Sequence, residues 1–400
     1  MVGGQFTVAI SQGLQFLLLA RALGPQEFGL LAGVLAISSM LLPFSGLGAA
    51  NVMIMRFAQK VGDLQTYYGN ALIVACVSSI VLIAIGFTIG AFLFGHVASI
   101  HLLLLICVSE ILLAKLVDIT AHVYYAQERH RFAGTVYSFQ SLARLAFAAV
   151  FVVSNISKTA DSWALWHILS GLVSAAFALW FTHKQIGAPT LRPKLALQEI
   201  KTGVFFSIGL SAKSLYTDID KAALARLAST EVAGAYTAAF RMIYMAATPL
   251  RAVLLAGNAK FFRDGQGGLT APLRFANRIT LYGIVYAAIL AIAVWFGAPL
   301  IQVILGQKYS LSVDMIRWLA VLPMVQIIQE SYSDALMGAG YQVARSILQA
   351  LAAFLCIGLN IILIQQYSWQ GAVYATYITQ IALTMCVVAL ALVVNKKSIK

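Results

Sequence analysis

Charge is scarce in this 400-residue chain, at 10% of residues, and acid is scarcer still, with 14 Asp and Glu against 27 Lys and Arg. So little charge beside 61% apolar residues excludes a soluble domain, which could not cover such a composition without aggregating. No GxxxxGK[ST], HExxH or Gly-rich dinucleotide loop is present, and the histidines have no metal-ligand spacing, so the common nucleotide and zinc chemistries are not indicated. Cys76, Cys107, Cys356 and Cys386 all fall in apolar segments without a CxxC pair, which argues against a disulfide framework or a zinc site. No separate hydrophilic domain gathers the excess basic residues, so the net charge of +13 points to membrane topology rather than to nucleic acid. Neither a basic start nor an A-x-A site flanks the first apolar run, which reads as a retained span rather than a signal peptide. That span is short at its amino end, and a few residues are expected ahead of Met1. No cofactor or metal is expected.

What the chain does have is apolar runs of about 20 residues from end to end, long enough to cross about 30 Å of hydrocarbon as helices and too long for barrel strands. The expected class is an all-α polytopic membrane protein. Breaks at charge, Pro and Gly clusters predict about twelve spans: 2–20, 28–50, 70–94, 98–126, 133–153, 162–181, 203–226, 232–257, 279–304, 313–338, 342–365 and 371–394. The connection from Thr182 to Thr202, with Pro189, Pro193 and a basic cluster, divides them evenly. It predicts an amino-terminal six-helix lobe over 1–182, a linker over 183–202 and a carboxy-terminal six-helix lobe over 203–400.

Alternate loops separate into two sets. One holds most of the basic residues, among them Arg129, Lys184, Arg192, Lys194, Lys260, Arg274 and the tail Lys396, Lys397 and Lys400; the other holds only Arg21, Lys158, Arg226 and Lys308. The positive-inside rule makes the richer set cytoplasmic and places both termini inside. A short echo links the halves: Ala20-Arg-Ala-Leu-Gly-Pro-Gln-Glu-Phe-Gly29 resembles Ala225-Arg-Leu-Ala-Ser-Thr-Glu-Val-Ala-Gly234, with Arg and Gly at equal spacing. Repeats of six spans enter the membrane in the same direction, and substrate sites in such proteins lie between the halves.

Six cations stand inside stretches that otherwise read as lipid-soluble helix: Lys115, Arg144, Lys213, Lys221, Arg241 and Arg251. Each would cost roughly 2.5 to 3.5 kcal/mol at mid-bilayer, so such residues face a bundle interior or a wet cavity. Arg241, Tyr244, Thr248 and Arg251 are spaced along one predicted helix face, as are Lys115, Asp118, His122 and Tyr125, and Tyr137, Gln140 and Arg144. One reading is a cationic cavity for a phosphate-bearing substrate, with forked Arg contacts and Lys point charges. The other is neutralisation within Lys115–Asp118, Lys213–Asp220 and Asp218–Lys221. Arg144, Arg241 and Arg251 have no acid within one helical turn of sequence, so neutralising them requires other helices; Arg251, Arg317 and Arg345 have the alternative of snorkelling to an interface.

The intramembrane acids Asp118, Asp218, Asp220, Glu330 and Asp334 are candidates for ion coupling, with Glu110 a solitary acid in span four. Their alternative is to pair with the cations above. Prolines 43, 249, 299 and 323 interrupt spans, as helices that bend during alternating access would require and as membrane helices in general tolerate.

The first hairpin, Ala20 to Gly29, resembles that of the polysaccharide-transport family of Wzx-type oligosaccharide flippases, within the multidrug/oligosaccharidyl-lipid/polysaccharide (MOP) exporter superfamily. The segment Asp218-Ile-Asp-Lys-Ala-Ala-Leu-Ala-Arg-Leu-Ala-Ser-Thr-Glu-Val-Ala-Gly-Ala-Tyr-Thr-Ala-Ala-Phe-Arg241 is similar to its seventh-to-eighth span signature, and Pro299, Leu305-Gly306, Tyr309, Ala339-Gly340, Asn360 and Gly371-Ala372 are similar to its carboxy-terminal half. The resemblance implies two six-helix lobes around a central cavity. It implies translocation of undecaprenyl-pyrophosphate-linked oligosaccharide, an O-antigen, capsule or exopolysaccharide repeat unit, across the bacterial inner membrane. It also implies coupling to Na+ or H+, with Asp218 or Asp220, Asn360 and Thr376 as the cation site. Membrane lipids and polysaccharide polymerase machinery are the implied partners. The two-span extension of lipid II flippases is missing. A MATE-type drug or cation antiporter is the first alternative, although its cargo favours an acidic cavity. A membrane polymerase or glycosyltransferase is the second, although it would carry a long external loop.

Overall fold

A computed structural model describes residues 2–60 and 62–399. Lys400 and the side chain of Lys397, two of the tail cations, lie outside the described residues. Helices account for nearly all of the chain, and no strand occurs among the described residues. Two compact units are formed, Met1–Asp218 and Ile219–Lys400.

The first unit contains α1 (Val2–Leu41), a tight helical segment over Leu42–Gly48, α2 (Ala49–Ala58), α3 (Leu64–Phe94), α4 (Ile100–Cys107), a π-helical turn (Val108–Leu113), α5 (Ala114–Ala126), α6 (His130–Val153), α7 (Ala160–Ile186) and the start of α8 (Pro193–Leu227). The polar connection expected over 183–202 is thus already helical from Pro193, and the division between units falls inside α8. The second unit continues with α9 (Thr230–Ala246), α10 (Thr248–Gly265), α11 (Thr270–Gly297), α12 (Leu300–Leu305), α13 (Ser310–Leu319), α14 (Leu322–Gly338), α15 (Gln342–Tyr367) and α16 (Trp369–Ile399).

Among the described residues, eight helical stretches are long and apolar enough to cross a membrane, or up to ten if each of two bent pairs is one span. The first stretch, Gly4–Ala58, has 55 residues, about 80 Å of helix and more than twice the hydrocarbon thickness. A kink at Gly24, with φ of 73° just before Pro25, divides it where the first hairpin was expected. Helix α8 carries Lys213, Asp218, Asp220 and Lys221. Twelve spans are compatible with this architecture.

Local chemistry accounts for the helix ends. Asp63, Ser99, Thr159 and Ser229 each accept a backbone N–H three residues on, capping α3, α4, α7 and α9. Asp63 is exposed and lies outside the spans; the Thr66 hydroxyl and amide hold its carboxyl below the usual range. Its charge therefore supports the cap above the ordinary carboxylate pKa, and that support fades as pH falls through the lowered value.

Small residues let helices approach closely, as membrane helices require when apolar burial alone gives no driving force. Ala233, Ala235, Ala238 and Ala239 are buried on α9, where the Ser312 hydroxyl of α13 donates to the Ala235 carbonyl at 2.8 Å. Large apolar side chains point outward instead, Phe92, Val153, Phe296 and Phe354 among them, as lipid-facing surfaces require.

The tightest approach in the first unit is backbone on backbone. Gly46 and Gly48 adopt left-handed φ of 75° and 71°, which breaks the second span after Leu41. A Cβ on Gly203 would overlap the Leu47 carbonyl oxygen, and one on Gly48 would overlap the Gly203 carbonyl. Beside this contact Arg56 grips Glu199 through Nε at 2.8 Å and Nη2 at 3.0 Å, tying α2 to the start of α8. Gly203→Ala is therefore expected to lower the thermal midpoint in detergent, by the equivalent of about 1–3 kcal/mol of overpacking. Gly358→Ala, on α15 where an added Cβ meets nothing within 4 Å, is expected to be neutral or slightly stabilising. Equal midpoints for the two variants would refute the close-contact account.

Candidate functional site

In the first unit the polar groups converge on span four. Its helix widens at Val108–Leu113 into a π turn that holds Glu110, a distortion found disproportionately at functional sites. The turn is held from outside: the Ser79 hydroxyl donates to the Ile111 carbonyl at 3.2 Å. Glu110 accepts from Arg144 Nη2 of α6 at 2.6 Å and lies 2.7 Å from His167 Nε2 of α7. Arg144, without an acid in its own turn, thus finds one on another helix. The pair removes most of the cost of an isolated intramembrane charge, but it does not use every donor. Arg144 Nε and His167 Nδ1 are buried without a hydrogen-bond partner among the described residues.

About one to four turns further along the same span, Lys115, Asp118, His122 and Tyr125 share a face of α5 as the spacing predicts. Lys115 Nζ is 3.0 Å from Asp118 Oδ2, and the Tyr137 hydroxyl of α6 donates to Asp118 Oδ1 at 2.9 Å. His122 Nδ1 lies 2.7 Å from the Asp118 carbonyl oxygen. Here the neutralising reading of Lys115 is realised. Asp118 is nevertheless only part-buried, with 30% side-chain exposure, so the cluster borders accessible space. From α1, the Ser39 hydroxyl donates to Asp218 Oδ2 of α8 at 2.9 Å. Lys213, on the same helix, is exposed.

The second unit corrects the single straight face expected for span eight. Pro249, which removes a backbone donor, stands at the start of α10, and α9 and α10 are bent by 51°. Arg241 and Tyr244 therefore stand on one segment and Thr248 and Arg251 on another. The bend keeps Arg251 stacked on Tyr244, with Cζ 3.1 Å from the ring centroid. Snorkelling does not describe Arg251: its Nη1 is buried and makes no hydrogen bond among the described residues. Arg241 is exposed on α9.

A second polar cluster ties α8 to α9 and α16. Asp220 is buried, with Lys221 Nζ 3.1 Å from Oδ1 and the Tyr236 hydroxyl donating to Oδ2 at 2.9 Å. Tyr236 also lies 3.3 Å from Thr376 Oγ1, and Lys221 Nζ sits 4.3 Å from the Phe240 ring centroid. Asn360 is fully buried and donates to the Cys356 carbonyl at 2.8 Å. The oxygens Asn360 Oδ1, Thr379 Oγ1 and Gln380 Oε1 are buried without partners among the described residues. Such neutral oxygens suit a monovalent cation. No group of three His, Cys, Asp or Glu suited to a metal ion occurs among the described residues.

Glu330 is part-buried on α14, and Asp334 faces Arg345 Nη2 at 3.8 Å with both side chains largely covered. Arg345 is thus an interior partner rather than a snorkelling residue. Arg317 keeps one-third exposure beside Asp314 at 3.6 Å. His167, Tyr236, Thr379 and Gln380 are candidate residues that the sequence did not single out. The signal for Thr379 and Gln380 was their place on the same helix as Thr376; His167 had no local signal.

A family model described as "Polysaccharide biosynthesis protein" matches residues 1–255. No curated protein matches the sequence. Among solved structures, an inward-facing multidrug resistance MATE family transporter of the MOP superfamily aligns over 97% of this chain and 96% of its own, at 14% identity and a TM-score of 0.75. The lipid II flippase MurJ, in an inward closed conformation, aligns over 97% of this chain and 87% of its own, at 13% identity and a TM-score of 0.77. A MOP superfamily transporter from Pyrococcus furiosus, whose binding pocket is described as reversed in polarity, aligns over 98% and 94% at 13% identity and a TM-score of 0.65. With a family match over more than half its length, the chain belongs to the polysaccharide biosynthesis protein family and is a multi-pass membrane protein with the fold of MOP superfamily transporters.

Proposed function

We propose that the protein is a flippase that carries undecaprenyl-pyrophosphate-linked oligosaccharide across the bacterial inner membrane by alternating access, driven by a cation gradient. The observation that carries this reading is that each unit holds an intramembrane arginine with a buried N–H lacking an acceptor, Arg144 Nε in the first and Arg251 Nη1 in the second. A phosphate supplies such acceptors, and a guanidinium binds it through several parallel hydrogen bonds. In the first unit the incoming phosphate exchanges with Glu110 for Arg144. In the second it adds to a guanidinium already oriented by Tyr244. Lys115 and Lys213 in the first unit and Arg241 in the second supply further positive charge, whereas Lys221 is committed to Asp220. A cationic drug gains nothing from these groups, which sets the MATE-type alternative below the flippase.

Coupling is assigned to the Asp220 cluster. The Lys221 ammonium holds one carboxylate oxygen, so a proton or Na+ that binds there competes with it. The neighbouring Thr376, Asn360, Thr379 and Gln380 oxygens are available to complete the shell. Asp118, Asp218, Glu330 and Asp334 are the remaining acids of the proposed relay.

Arg144→Gln and Arg251→Gln are each expected to reduce transport of lipid-linked oligosaccharide into proteoliposomes by about 10- to 100-fold, the equivalent of one charge-assisted hydrogen bond of about 1.5–3 kcal/mol. Lysine at either position should restore part of the loss. Full activity in both glutamine variants, at equal membrane insertion, removes the arginines from substrate binding.

Asp220→Asn is expected to abolish gradient-driven accumulation while leaving slow equilibration of substrate across the vesicle membrane. Ionophores that collapse the Na+ and H+ gradients should reduce the native protein to the same behaviour. Unchanged accumulation under collapsed gradients defeats the coupling proposal and leaves the arginine assignment standing.

A further inference from the structure

A cleft of the second unit lies apart from the polar clusters described above. It has a volume of about 400 Å³ and lies between α10, α11 and α14, within the size range of small-molecule sites. Val253 of α10, Tyr282 of α11 and Ile327 of α14 make it apolar. Gly283 allows this packing, because a Cβ there would overlap Ile327.

The two ends of the cleft differ. At one, Tyr286 donates from α11 to the Ala246 carbonyl at the end of α9, at 3.0 Å. At the other stand Lys260 and Arg278. Lys260 Nζ lies 4.3 Å from the Phe275 ring centroid, and neither cation makes an ion pair among the described residues. Lys260 is eleven residues along α10 from Pro249, so the apolar stretch is about 16 Å long.

We infer that this cleft binds one acyl chain of an anionic membrane phospholipid, with the headgroup phosphate on Lys260 and Arg278. Charge complementarity fixes the head: two uncompensated cations at the end of an apolar groove match a lipid phosphate, and basic pockets between spans recur as lipid-headgroup sites. Length fixes the tail. A groove of about 16 Å that ends at the Tyr286–Ala246 bond suits a fatty acyl chain and is far too short for a long polyprenyl tail. The second acyl chain remains in the bilayer, since Val253 and Tyr282 are more than half exposed at the rim. The lipid lies against Pro249 and Leu250, at the start of the bent segment that also carries Arg251. It fills the space behind the bend in span eight and favours the bent form. This inference does not depend on the identity of the transported substrate.

The test uses the full chain purified into nanodiscs that contain phosphatidylglycerol and phosphatidylcholine, with retained lipid counted by native mass spectrometry. The native protein is expected to retain phosphatidylglycerol in preference to phosphatidylcholine. Lys260→Gln/Arg278→Gln should lower that retention at least tenfold, and Val253→Trp, which fills the groove and leaves both cations in place, should do the same. Thermal midpoints in detergent lacking phosphatidylglycerol should match the native value, so that folding is not the cause. Equal retention of the two lipids, or native phosphatidylglycerol retention in the double variant, overturns the inference. Displacement of phosphatidylglycerol by an equimolar polyprenyl phosphate also overturns it, by making the carrier lipid the occupant.

Discussion

The contact between Glu110 and Arg144 states the constraint that governs this protein: an ionised group inside a bilayer must find its counter-charge within the protein. At 2.6 Å the pair meets that demand in the first unit, and Asp220 with Lys221 meets it in the second. On the proposed reading, a transporter of anions cannot stop there. If every donor were satisfied, the substrate would have to outbid a complete set of interactions; if none were, the helices would not insert. The observed arrangement lies between these limits. Arg144 keeps one acceptor and one unsatisfied Nε, and Arg251 keeps an aromatic stack and one unsatisfied Nη1. The guanidinium permits this compromise because its donors point in several directions, whereas the Lys221 ammonium is a single point charge that one carboxylate can occupy.

The same constraint explains what sequence could reveal. The all-helical membrane class was legible because the long apolar runs alone decide it, and α8 was read as a span from the breaks in sequence on either side of it. The stripe on α5 was legible because Lys115 and Asp118 lie one turn apart on an unbroken helix. The echo between Ala20–Gly29 and Ala225–Gly234 is followed in each case by a break at the same distance. The second span breaks at Leu42, thirteen residues beyond Gly29, and the eighth at Ala247, thirteen beyond Gly234, each break followed closely by Pro43 or Pro249.

The Glu110–Arg144–His167 cluster was not legible as a unit. Its members are separated by 34 and 57 residues, and no local pattern announces which helix faces meet. Nor does periodicity reveal a π turn, since one added residue shifts the phase of every later side chain in the span. The bend in span eight was misread for a related reason. Regular spacing describes a face only while the helix is straight, and Pro249 ends that condition.

These interruptions place charge where helix geometry is least constrained. Glu110 sits on the π turn, Arg251 follows the 51° bend of span eight, and Glu330 follows the 49° bend between α13 and α14. Inside an uninterrupted helix, exchanging a counter-charge would change a rotamer and little else, because the backbone hydrogen bonds hold the axis. At a π turn or a proline break some of those bonds are missing or borrowed from side chains, as the Ser79 bond to Ile111 illustrates. Exchange of a carboxylate for a phosphate on Arg144 then alters the force on a segment that can respond. On the proposed reading, the pairing that makes the charges tolerable in lipid is also the means by which substrate binding reaches the backbone, and the binding residues and the bending residues are neighbours for that reason.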